Sequence, residues 1–255
     1  MAPEGEADAA VDQPFDAHGP VFFRFGRKIA DTAPDLPYPW LLMEPYDKYL
    51  KAEREINEGL IRLGVSLARP EGYVKDPRAR MEAMRGFLAA LGDPQRGLPA
   101  VHVAGTSGKG SVCAAVAGVL AEAGLRVGLH VSPYLQSATE KIWIDGAFVS
   151  ADRFAELVDW VLPVARPLVR PKTPASIHGM ASVAIALEGF CRAGCDAIVF
   201  EAGCGARYDL TSFVDTEVAV LTNVGLDHVV SLGPTLERIA WHKAGIMRTG
   251  VPSFS

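Results

Sequence analysis

Val101-His102-Val103-Ala104-Gly105-Thr106-Ser107-Gly108-Lys109-Gly110-Ser111 decides the reading of this chain. A short apolar run meets a glycine-rich turn, then a lysine and a serine, then a long Ala/Val/Leu segment, which is the pattern of strand, loop and helix. Glycines let successive backbone N–H groups converge on an anion without interference from Cβ. The N-terminus of the following helix adds partial positive charge. Lys109 can reach a terminal phosphate, and the Ser111 hydroxyl is a hard oxygen for Mg²⁺. The string is not the common G-x-x-x-x-G-K-[ST]. Val103 stands where that pattern has its first glycine, and Gly110 separates Lys109 from Ser111. It reads as a variant phosphate loop built from Gly105, Thr106, Ser107, Gly108, Lys109, Gly110 and Ser111; the competing reading is a glycine-rich turn with a solvated lysine.

Outward from that stretch, the segments alternate. Pro77 opens a helix capped by Asp76, with Met81, Met84, Phe87, Leu88 and Leu91 on one face. A helix over Lys109 to about Ala123 stops at Gly124. Arg126 to Val131 is a buried strand, so a right-handed crossover to a parallel partner is expected. Thr139 to Gly146 reads as a short strand and turn. Helices follow from Ser150 and over Ser176 to Arg192, the latter apolar nearly all round. Strands are expected at Asp196–Phe200 and Glu217–Leu221, a helix from Thr235 to about Met247, and a last strand from Val251. Tyr46 to Leu63 has a helical face. Residues 1–45 carry seven prolines and an Ala/Asp/Glu-rich opening, which predicts a flexible extension. Residues 46–255 form the expected nucleotide-binding domain.

Bulk properties narrow the classes. The 255 residues carry a formal net charge of −5, which argues against a general nucleic-acid surface. No apolar run approaches the roughly 20 residues that span a bilayer, and the acidic N-terminus lacks a signal-peptide core. Four cysteines without a C-x-x-C pair predict reduced thiols and a cytoplasmic setting, with Cys191 and Cys195 four apart on a helix and suited to buried packing.

Carboxylates and histidines at predicted strand ends are the remaining chemical groups. Ligands of open α/β sheets gather there. Glu201 ends an apolar strand, where it either binds Mg²⁺ or pairs with Arg207. His228 follows Asp227 beyond the next strand and is either a metal ligand or a solvent-facing residue. Lys243 reads locally as a solvated helix lysine, and His102 as a packed core residue.

Five blocks occur in one order: Ala104–Ser111; Ser132-Pro133-Tyr134 with Thr139-Glu140-Lys141-Ile142; Glu201–Asp209; Leu226-Asp227-His228; and His242-Lys243-Ala244-Gly245-Ile246. Together they resemble folylpolyglutamate synthase / dihydrofolate synthase of the Mur ligase superfamily. The resemblance implies an α/β, three-layer, P-loop-like central domain with a mostly parallel sheet. It implies an ATP-dependent ligase that phosphorylates a folate or dihydropteroate carboxylate and lets the amine of L-glutamate attack the acyl phosphate. It places Lys109 and the loop amides on the phosphates. It makes Ser111, Ser132, Glu201 and His228 candidates for the Mg²⁺ shell, and matches Lys243 to the lysine that this superfamily carbamylates. Lys109, Lys243 and His228 are thus the candidate catalytic residues. The segment after Ser132-Pro133 resembles the loop that helps hold the pterin. The implied partners are small molecules, with no nucleic acid or membrane, and the chain is expected to be monomeric. Departures are Ser107 for Asn, Ser137-Ala138 for an Arg/aromatic pair, His178 where the family tends to carry Glu, and Ser212 for Asn. The family's C-terminal domain has no counterpart before Ser255, so truncation is expected. Another Mur-type acid–amino-acid ligase, or a non-catalytic nucleotide-binding module, is the alternative.

Overall fold

In a computed structural model, residues 44–59, 76–169 and 175–255 are described. Expectations for residues 1–43, for the end of the first helix and for the centre of the Pro167–Pro174 linker lie outside them. Seven strands form one sheet: β1 (Pro99–Ala104), β2 (Val127–His130), β3 (Ile142–Ile144), β4 (Ala147–Phe148), β5 (Ala197–Glu201), β6 (Asp215–Leu221) and β7 (Ser253–Phe254). Their order is β4-β3-β2-β5-β1-β6-β7. β2, β5, β1, β6 and β7 run parallel, while β3 and β4 add an antiparallel edge.

The helices are α1 (Glu44–Arg54), α2 (Pro77–Ala90), α3 (Lys109–Glu122), α4 (Ala151–Ala165), α5 (Ile177–Ala193), α6 (Val229–Leu232) and α7 (Leu236–Lys243). Their starts follow from local chemistry. The Asp76, Ser150, Ser176 and Thr235 side chains each accept a backbone N–H from the first turn of their helix. α3 packs on β1, β2 and β5, and α5 lies on the other face with α4 behind it. Ile198 and Phe200 face α5, and the alternating Val199 and Val103 are equally buried beneath α3. Gly128 makes the α5 layer possible: a Cβ there would stand 2.4 Å from Phe190 Cδ1. Phe190 in turn meets Phe200 edge-on at 6.3 Å.

The three-layer, mostly parallel architecture is the one expected. Local differences have identifiable causes. Ala138–Lys141 is a 3₁₀ turn rather than strand, because Ser137 and Glu140 form a capping box across it. The helix from Thr235 ends at Lys243 and tightens into a 3₁₀ turn over Ala244–Ile246. α1 passes into a π-turn over Glu55–Gly59. Cys195 lies beyond α5 and is buried, but Cys191 is exposed, so the expectation that both pack inside is corrected. The spacing of four separates them because Gly194, in a left-handed conformation, ends the helix between them.

Candidate functional site

β1 and β5 are neighbours, but the chain leaves β1 toward β2 on one side and leaves β5 toward β6 on the other. Their carboxyl ends lie side by side at the end of the sheet where α/β folds take ligands. Ala104 leads out of β1 into the Gly105–Gly108 turn, and Lys109 begins α3. Gly108 adopts φ +78°, the left-handed conformation that lets the turn enter the helix. Gly105 has φ +154°, and any Cβ on it would meet Thr222 Oγ1 at 1.9 Å.

The turn is held from β6. Asn223 Oδ1 accepts from the backbone N–H of Thr106 at 3.2 Å and of Ser107 at 3.0 Å. Thr222 Oγ1 donates to Ser107 O at 2.7 Å, and Thr106 Oγ1 exchanges hydrogen bonds with both backbone groups of Gly225. Thr222 and Asn223 are residues of this mouth that the sequence reading did not single out. Their signal was a Thr-Asn pair directly after a strand neighbouring the loop, and that adjacency is visible only once the strand order is known.

Glu201 closes the other wall. It is buried, its Oε2 accepts the Ser132 N–H at 2.9 Å, and its Oε1 lies 3.8 Å from Lys109 Nζ. Burial pushes its carboxyl above the ordinary carboxylate value, against the pull of that N–H and of Lys109. The pairing of Glu201 with Arg207 does not occur: Arg207 stacks on Trp241 at 4.0 Å and donates Nε–H to Trp241 O. Lys109 Nζ also donates to Thr106 O at 3.2 Å. Ser111 is exposed on the first turn of α3.

Lys243 is not solvated. It is 1% exposed, donates to Gly105 O at 2.5 Å, and is held below the ordinary lysine value by burial and by Lys109, with Asp227 and Cys204 opposing. His228 follows β6 in the loop that leads to α6. It occupies a left-handed conformation at the start of α6, half exposed, with Nε2 3.5 Å from Asp227 Oδ2. Among the described residues no three His, Cys, Asp or Glu side chains converge as a ready-made metal cage. What the mouth offers a hard cation is one buried carboxylate and the nearby serines, the sparse oxygen set that suits Mg²⁺ shared with phosphate oxygens.

Behind Glu201, Asp209 accepts from the N–H groups of Gly203, Cys204 and Thr211 and from Thr211 Oγ1, and His102 Nε2 lies 2.9 Å from that hydroxyl. His102 is core, as expected.

Over residues 103–253 the chain matches the Mur ligase middle domain. The chain belongs to that family. Its relatives include the dihydrofolate synthase/folylpolyglutamate synthase of Bacillus subtilis, 37% identical over 66% of this chain and 40% of that protein. The mitochondrial folylpolyglutamate synthase of Bos taurus is 33% identical over 84% of this chain and 38% of its own length. Among solved structures, the folylpolyglutamate synthase of Mycobacterium tuberculosis complexed with ADP aligns with a TM-score of 0.68 at 31% identity, over 82% of this chain and 44% of that one. A folylpolyglutamate synthase–AMPPCP–folate complex aligns with a TM-score of 0.68 at 32% identity, over 80% and 47%. This Mur ligase chain thus spans less than half the length of the relatives it matches.

Proposed function

We propose that this chain carries the ATP-binding part of a ligase that joins the amine of L-glutamate to a carboxylate of folate or dihydropteroate. One observation carries the reading: the Gly105–Ser111 turn, Lys109 and buried Glu201 meet at the carboxyl ends of adjacent parallel strands. The folate and nucleotide named in the solved relatives support it.

Both reactants are anions, so charge screening and positioning dominate the barrier. The loop amides and Lys109 hold the β- and γ-phosphates, with Lys109 moving a short way from Thr106 O and Glu201. A carboxylate oxygen of the acceptor attacks the γ-phosphorus, ADP leaves, and an acyl phosphate forms. The neutral amine of glutamate then attacks the acyl carbon, phosphate leaves, and one proton is released. Ser111, Ser132, Glu201 and His228 are the proposed Mg²⁺ holders; the bound ion supplies neutralisation of phosphate charge. Glu201 fits this role because burial disfavours its charge until a cation arrives. Lys243 beside Gly105 O is the proposed carbamylation site, since a buried amine loses its proton more readily. The substrates are small molecules; no nucleic acid or membrane takes part, the protein acts as a monomer, and its free cysteines suit the cytoplasm. No helix among the described residues is long and apolar enough to cross a membrane.

The test incubates the chain with ATP, Mg²⁺, L-glutamate and either acceptor, and follows ADP and the glutamylated product. Coupled formation of both is the expected result. ADP release without product under every acceptor would overturn the acceptor class. Unchanged AMPPCP affinity in Lys109→Ala would remove the phosphate-loop assignment.

A further inference from the structure

Two amides of the Gly105–Gly108 turn already have an acceptor. Asn223 Oδ1 takes the N–H of Thr106 at 3.2 Å and of Ser107 at 3.0 Å. Successive N–H groups turned on one point are how a backbone nest holds an anion. Here a neutral carboxamide of the chain itself fills the nest.

That carboxamide is tied through both of its polar atoms. Its Nδ2 donates to Ser107 O at 3.2 Å and to Ser107 Oγ at 3.0 Å. One planar group makes all four contacts, so a phosphate that took the Thr106 and Ser107 amides would break the Nδ2 bonds along with the Oδ1 bonds. The backbone beneath is fixed as well. Asn223 O accepts the Thr106 N–H at 3.1 Å, and Thr222 N–H donates to Ala104 O at 2.9 Å. Thr222 Oγ1 donates to Ser107 O, and Lys243 Nζ holds Gly105 O. Gly105 and Gly108 would otherwise make this turn costly to order. With the brace in place that entropy is lost on folding rather than on binding.

The N–H groups past Gly108 are in the opposite condition. Gly108 O accepts the Val112 N–H, and no side chain caps the start of α3. Lys109, Gly110 and Ser111 therefore present N–H groups that have no intrahelical acceptor.

We infer that Asn223, seconded by Thr222, is a positioning residue: it retains the Thr106 and Ser107 amides when nucleotide is bound, and leaves the phosphates to Lys109 Nζ and the N–H groups of Lys109, Gly110 and Ser111. This rests on the nucleotide reading of the same mouth and narrows its contacts.

The test titrates AMPPCP with Mg²⁺ into the ¹⁵N-labelled full chain and follows the backbone amides by NMR. The Lys109, Gly110 and Ser111 signals should move, while Thr106 and Ser107 move little and keep their slow exchange with solvent. The Asn223 side-chain NH₂ signals should stay where they are in the free protein. Asn223→Ala should speed exchange at Thr106 and Ser107 and weaken AMPPCP about tenfold or more. Thr222→Val, which keeps the shape and loses the hydroxyl, should weaken it several-fold, and Thr222→Ser should restore it. Shifts at Thr106 and Ser107 as large as those at Lys109–Ser111, with release of the Asn223 NH₂, overturn the inference and leave the nucleotide reading intact. This measurement on the parent needs no variant to fold. Unchanged AMPPCP affinity in Asn223→Ala also overturns it. An absence of shifts from Gly105 to Ser111 overturns the nucleotide reading and this inference together.

Discussion

Glu201 is held in a setting that its own charge disfavours. Its pKa is raised by burial, so the native state takes up this proton more readily than the unfolded chain does. The sign follows: its contribution to stability falls as pH rises from the ordinary carboxylate range through the raised value. Glu201→Gln keeps an oxygen for the Ser132 N–H and removes the buried charge. The ligand-free variant should therefore melt no lower than the parent at pH 7, while Mg²⁺ should no longer tighten AMPPCP; calorimetric titration with and without Mg²⁺ measures this. If Lys109 holds phosphate as proposed, Lys109→Ala should weaken AMPPCP about tenfold or more at little cost in stability. Both residues were legible from sequence, one from the glycine pattern and one from a carboxylate ending an apolar run. Lys243 was not legible from its neighbours. A lysine in Trp241-His242-Lys243 looks solvated until α7 is seen to point it at Gly105 O, 138 residues away in the chain. The resemblance, not local pattern, singled it out.

The sheet itself contains a pH-sensitive row. Register places His130, Phe200, His102 and Ala219 side by side across β2, β5, β1 and β6. His130 meets Phe200 edge-on at 4.4 Å. Burial lowers His102 to about 4 and His130 to about 3. Both folded values lie below the unfolded one, so stability is intact above about pH 6.5 and is lost as pH falls toward 4. His102 alone accounts for on the order of 3 kcal/mol of that loss. Urea unfolding between pH 7 and 4 should show the decline, and His102→Gln, which can still donate to Thr211, should flatten it. Gly128→Ala forces a methyl into Phe190 and should destabilise by about 1–3 kcal/mol in the same assay. Period and capping residues made these elements readable: Asp76, Ser150, Ser176 and Thr235 each start the helix that they were expected to start or flank. The strand order was not readable, because local pattern carries no record of which strands pair. For that reason Thr222 and Asn223, which bind the Gly105–Gly108 turn from the end of β6, went unnoticed.

At the scale of the whole molecule, a chain of net charge −5 takes up an anion of higher charge density only where its field is locally reversed. That reversal sits at one edge of the sheet, where the amides of the Gly105–Gly108 turn, the start of α3, Lys109 and Lys243 meet. The carboxylate of Glu201 stands among them at 5% exposure. The nucleotide should therefore act as a clamp between β1, β5 and β6, the central strands of the sheet, and its binding should register as global stability. At one hundred times its Kd a ligand specific for the native state adds about 2.7 kcal/mol. For a domain of this size that corresponds to a rise in Tm of roughly 5–10 °C. AMPPCP with Mg²⁺ should produce that rise, and chelating the metal should remove most of it. Gly105→Ala should remove nearly all of it, because the methyl meets the Thr222 hydroxyl that secures the turn. A ligand-induced rise that survives Gly105→Ala would put the nucleotide somewhere other than this mouth.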